Sequence, residues 1–183
     1  MRYLLPLVLI CSFTTFSFGQ DEGGPTERTR EVGLRLFGLD DFDFLYKKSL
    51  SANTYRRYRF FNGNLSFQDI DGSGFGSLSA GAAIGKETRS SLATSLRFAR
   101  GPEYFFSAAV LVGGDNTQVR LQPGFGYVLG LQYNINERFY IGLETIPSIS
   151  LSVSNLNDVT VVSLDAGFNS SSVAVTAMYR FYR

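Results

Sequence analysis

The sequence predicts an all-β protein: a closed, antiparallel, up-and-down transmembrane β-barrel of eight strands, or ten if one late segment pairs on its own. Three observations carry this. From residue 31 onward the apolar positions recur every second residue and no stretch has a helical period. The alternate positions are Gly, Ser, Ala, Thr and Gln rather than the Lys, Glu and Asp that a soluble barrel shows to water. The composition is rich in aromatic β-formers and turn residues, with 17 Phe, 10 Tyr and 19 Gly.

The chain has 183 residues, 44% of them hydrophobic and 18% charged, which suits one domain behind a targeting leader. Seventeen Lys and Arg against sixteen Asp and Glu leave no polybasic footprint for a nucleic acid. There is no His and a single Cys, so imidazole catalysis, a thiolate metal cluster and an intrachain disulfide are all excluded.

In chain order, residues 1–19 read as a secretory signal peptide. Met1-Arg2-Tyr3 gives a positive start, Leu4 to Ile10 opens an apolar run, and Ser17-Phe18-Gly19 places small residues before a cleavage point at Gln20. Pro6 and the Ser and Thr residues after it weaken an anchor-helix reading, and Ile10 before Cys11 is too bulky for a lipoprotein signal. Cleavage removes Arg2 and Cys11 and leaves a neutral chain. An exported protein without disulfides then depends on its hydrogen-bonded sheet and packing. Residues 20–30 are a polar lead-in, and 31–183 form the barrel.

The expected strands are 32–39, 55–67, 75–85, 91–99, 104–112, 121–133, 138–152 and 173–182. The clearest is 121–133, where Leu121, Pro123, Phe125, Tyr127, Leu129, Leu131 and Tyr133 share a face opposite Gln122, Gly124, Gly126, Val128, Gly130 and Gln132. A turn at Asn134-Ile135-Asn136-Glu137 leads to the next strand, with Phe139, Ile141, Leu143, Ile149 and Leu151 on the same kind of face. In 55–67 the apolar phase slips, and Asn62-Gly63 is expected to absorb the slip as a bulge. The segment 159–168 is either a strand extension above the membrane or the source of two further strands. Short links at 68–74, 100–103 and 134–137, against long ones at 40–54 and 154–171, give the end-to-end asymmetry of a bacterial barrel.

The small residues suit the interior of a narrow barrel, and the bulky apolar face spans about ten residues per strand, the length that crosses hydrocarbon when tilted. Aromatic residues near strand ends (Tyr55, Tyr58, Phe75, Phe98, Tyr104, Tyr133, Phe139, Tyr179 and Phe181) read as interfacial girdles. A few charges fall on the inward face: Arg35, Arg97, Glu144, Arg180 and one or two of Arg56, Arg57 and Arg59. Buried charges need partners, so Glu144 is expected to bridge at least one of these arginines in a structural cluster that fills the lumen.

Other motifs carry little. Asp69-Ile70-Asp71-Gly72-Ser73-Gly74 resembles the start of a calcium loop, but Ala80 stands where the bidentate acid belongs, so a Gly-rich periplasmic turn is expected. Gly81 to Glu87 misses the phosphate-loop spacing, and Asp40, Asp41 and Asp43 read as a solvated acidic loop. Without His no hydrolase triad can be assembled. Neither an enzyme, a cofactor nor a metal site is expected.

The signal ending Ser17-Phe18-Gly19, the hairpin Gly130 to Phe139 and the closing Met178-Tyr179-Arg180-Phe181 together resemble the small outer-membrane β-barrels of Gram-negative bacteria, the OmpA/OmpX-like class. The likeness covers about residues 31–183, although Tyr182 and Arg183 extend past the terminal aromatic of that class. It implies outer-membrane residence, lipid as partner, and assembly by the barrel-assembly machinery; it transfers no active site. The expected function is a structural or surface-interaction role with a plugged lumen. A soluble exported barrel holding an apolar ligand and a narrow solute channel are the alternatives.

Overall fold

The computed structural model describes residues 29–38, 41–70, 73–113, 116–156, 159–167 and 173–182. The expected leader 1–19, most of the lead-in, and Asp40 lie outside them. Every regular element among the described residues is a strand: β1 (Arg30–Leu36), β2 (Phe42–Ser51), β3 (Thr54–Ile70), β4 (Ser73–Ser91), β5 (Leu96–Gly113), β6 (Asn116–Asn134), β7 (Phe139–Thr145), β8 (Ser148–Leu156), β9 (Val159–Gly167) and β10 (Val173–Phe181).

Eight of these close a ring, β1-β2-β3-β4-β5-β6-β7-β10 and back to β1, all antiparallel. Closure satisfies the ladder hydrogen bonds of both would-be edges, as hydrocarbon requires. β8 continues β7 past Ile146-Pro147 and pairs with the outer part of β6, and β9 pairs with β8. Both therefore extend the wall beyond the ring. Of the expected segment 159–168, residues 159–167 are thus the extension beyond the ring, residue 168 lies outside the described residues, and the ring has eight strands.

The count of eight is reached by a different division of the chain. Residues 42–51, expected within a long loop, are β2. Residues 91–99 and 104–112, expected as two strands around a turn, are instead the last residue of β4, a turn at 92–95 and one continuous β5 that runs through Gly101-Pro102. The missed strand and the surplus one cancel in number but exchange the ends of the early links. The β3–β4 connection consequently lies at the end opposite Thr29 and Phe181, not at the end of the 135–138 turn with which it was expected to be grouped. The turns at 52–53, 92–95 and 135–138 share the end that carries both chain termini of the barrel. β1 begins at Arg30, one residue before the expected barrel boundary.

The bulge falls where the phase slip placed it. Phe61 opposes Gly81 and Asn64 opposes Ser79, so Asn62 and Gly63 face a single residue. Asn62 adopts φ 54, a left-handed conformation that Asn tolerates better than most residues, and its carbonyl accepts a bond of 2.8 Å from Ser79 Oγ.

The walls differ in height. β4 and β6 have 19 residues, about 60 Å of extended chain, whereas β1 has 7 and β10 has 9. About ten tilted residues cross hydrocarbon, so the long wall emerges as an open sheet in the order β3-β4-β5-β6-β8-β9. Phe125, Leu143 and Leu151 are exposed on the outer surface, and Leu129 shares their face. Tyr55, expected in a girdle, instead points inward and is 4% exposed.

Candidate functional site

The interior is built in register rows. One row runs Arg180, Glu31, Lys47, Arg57, Gly85 and Glu103 across β10, β1, β2, β3, β4 and β5. The next, away from the termini, runs Met178, Gly33, Leu45, Arg59, Ala83 and Phe105. The side chains of both point to the axis because residues two apart share a face.

These rows place opposite charges next to each other. Arg57 is wholly buried; its Nε donates to Glu103 Oε2 at 2.6 Å, its Nη2 donates to Glu144 Oε1 at 2.8 Å, and its Nη1 lies 3.5 Å from Glu87 Oε2. Arg59 donates to Glu103 at 2.7 Å and to Asp43 at 2.9 Å. Asp43 also accepts from Arg35 at 3.2 Å. Lys47 donates to Glu87 at 2.6 Å. Arg89 bonds Glu87 at 2.7 Å and Glu31 at 2.6 Å, and Glu31 also accepts from Arg180 at 3.0 Å and Tyr140 at 2.7 Å. Arg35 Nε approaches Glu144 Oε1 to 2.8 Å but off the N–H direction, so that contact is an ion pair rather than a hydrogen bond. All these groups form one connected network in which Arg35, Lys47, Arg57, Arg59, Arg89 and Arg180 outnumber Glu31, Asp43, Glu87, Glu103 and Glu144 by one.

Glycines make the room. Gly85 stands between Arg57 and Glu103 in its row, and a Cβ there would come within 3.3 Å of Glu103 Cβ and 2.6 Å of Pro102 O. A Cβ on Gly81 would meet the Phe61 ring at 2.5 Å, and Gly124 lies beneath the ring of Phe105. Phe61 and Phe105 meet edge to face with centroids 6.2 Å apart, and the Arg59 guanidinium lies 4.3 Å from the Phe61 centroid. Aromatic rings therefore cap the network on the side away from the termini. A basin of about 560 Å³ opens beyond them, bordered by Phe37, Asp41, Gln122, Ser150 and Asp165. A small apolar layer of Leu45, Tyr140 and Met178 is set among the charges.

Of the residues expected to cluster, Glu144 lies between Arg35 and Arg57, and Arg180 joins through Glu31. Arg97 has the same inward parity but is only half-buried beside the 92–95 turn, and among the described residues it makes no ion pair. Arg57 and Arg59 point inward and Arg56 outward. Asp43, expected in a solvated loop, is buried in β2 between two arginines. Sequence reasoning missed Glu31, Lys47, Glu87, Arg89 and Glu103. A usable signal existed: in Phe42-Asp43-Phe44-Leu45-Tyr46-Lys47 and Lys86-Glu87-Thr88-Arg89, buried charges alternate with outward residues at the strand period.

Among the described residues no group of acids or sulfur ligands could hold a metal. The arrangement is a buried network of ion pairs that links β1, β2, β3, β4, β5, β7 and β10. A closed eight-stranded ring, apolar outside and charged within, is the architecture of a small transmembrane β-barrel. Among solved structures the chain is similar to the crystal structure of Ail, the attachment invasion locus protein of Yersinia pestis, with 18% identity, 85% of this chain and 98% of that chain covered, and a TM-score of 0.39. No family model matches the chain, and no curated protein does.

Proposed function

We propose that this protein is a non-enzymatic, non-conducting component of the outer membrane that carries a structural or surface-interaction role through the sheet it raises beyond the bilayer. The observation that supports this best is the lumen network centred on Arg57, which joins β1 to β7 side chain by side chain. The end bearing the termini and the 52–53, 92–95 and 135–138 turns is the periplasmic one, as in bacterial barrels generally. The opposite end then faces outward. There β9 is exposed along its whole length, and among the described strands only β8 pairs with it. Unpaired backbone at such an edge can accept an extended segment of another protein.

The soluble apolar-ligand reading requires a greasy interior, whereas the charged interior here disfavours such a ligand by the cost of leaving ions without water. The channel reading requires the network to part. Purified protein in planar bilayers is the test. Silence over a wide voltage range is expected, and steady unitary conductance would replace the plugged-scaffold reading with that of a channel.

A further inference from the structure

The outward face of the barrel is basic along one arc only. Arg30 opposes Lys48, Lys48 opposes Arg56, and Arg56 opposes Lys86, so four adjacent strands carry a cation in one register row. Arg100 on the next strand opposes Thr88, two residues from Lys86. Their chain neighbours Glu31, Lys47, Arg57 and Glu87 are buried in the lumen, which sets these cations on the opposite, membrane-facing side. The described acids of the same five strands that lie within the barrel wall, Glu31, Asp43, Glu87 and Glu103, all point inward and are engaged there.

One register step farther from the termini the outward row reads Val32, Tyr46, Tyr58, Ile84 and Tyr104. Tyr46 and Tyr58 stack with centroids 5.8 Å apart. Moving from the hydrocarbon toward the short turns, the order is therefore apolar residues, tyrosines, then cations. That order matches acyl chain, interface and headgroup. The other arc of the same rim carries Tyr133, Phe139, Tyr179 and Phe181 on its wall, with Arg138 exposed beside Glu137 in the turn. Like charges on neighbouring strands repel, and an anion between them removes the repulsion.

We propose that this basic arc binds the phosphate headgroups of anionic phospholipids in the leaflet at the terminus-bearing end of the barrel. The inference rests on the membrane-spanning reading above. Lysine stems are long enough to lie along apolar surface with the ammonium in the headgroup layer, and the tyrosine row takes the position of the lipid's ester region.

The test uses the full-length mature protein refolded into phosphatidylcholine vesicles, with folding checked by heat-modifiable gel migration and the boundary lipid read by spin-label spectroscopy. Spin-labelled phosphatidylglycerol is expected to be selected over labelled phosphatidylcholine by about threefold or more, a preference that falls as salt screens the arc. Combined Lys48→Gln, Lys86→Gln and Arg100→Gln substitutions should bring the ratio to near one, while Tyr133→Ser on the other arc leaves it unchanged. If the triple variant misfolds, Lys86→Gln and Arg100→Gln singly, both at exposed positions, should each lower the ratio. A folded, vesicle-inserted wild type without selectivity overturns the lipid site and leaves the barrel reading intact. Equal displacement of the labelled lipid by free inorganic phosphate overturns it too, in favour of a simple anion site. Protein that remains in the aqueous phase overturns the membrane reading itself.

Discussion

Arg57 is the residue on which the interior turns. It is completely buried and reaches Glu87, Glu103 and Glu144 from three other strands. Removing one partner from a buried ion pair leaves an uncompensated charge, so Arg57→Leu is expected to destabilise the barrel by about 3–5 kcal/mol. Urea unfolding in vesicles, followed by heat-modifiable migration, reads this as a lower midpoint. An unchanged midpoint would mean that water reaches the site and solvates the acids. Gly85 makes a separate claim on the same contact. Gly85→Val pushes a side chain against Pro102 O and Glu103, and is expected to cost about 1–3 kcal/mol as overpacking. The same substitution at Gly63, which has open space around its Cβ position and stands outside the regular ladder, is the matched control.

At the scale of elements, how much could be read from the residues depended on where the charges lie. The β6–β7 hairpin and β10 alternate bulky apolar residues with small ones, so both faces announce themselves, and the bulge at Asn62-Gly63 follows from a visible change of phase. β2, the near-terminal half of β4 and the middle of β5 were misread for one reason. Asp43, Lys47, Glu87, Arg89 and Glu103 look like loop residues until an inward face rich in charge is admitted. The missed members of the network and the misplaced strand boundaries are therefore a single error: one Glu144–arginine cluster was expected among small side chains, whereas six cations and five acids spaced by glycines line the described interior. The outward face gives a cleaner test. Leu143→Arg in β7 faces hydrocarbon and is expected to cost about 2–4 kcal/mol, against about 1 kcal/mol or less for Val162→Arg in β9 beyond the ring. Equal costs would place β9 inside the bilayer. Joining Ser152 directly to Ser163, which oppose each other in the ladder, removes the tip of the β8–β9 hairpin. The shortened chain should still fold and remain heat-modifiable, because no ring pairing involves the deleted residues.

For the whole molecule the unequal walls matter most. The ring is complete only over the height of β1, β7 and β10, with 7, 7 and 9 residues, while β4 on the far side and β6 beside β7 run to 19. A cylinder cut so obliquely offers its surroundings a shallow greasy flank and a deep one. Lipids answer such a mismatch by thinning beside the shallow flank, or the cylinder leans until both flanks are covered. Polarised infrared dichroism on aligned bilayers should then report a barrel axis inclined to the normal, by an angle that changes with acyl-chain length.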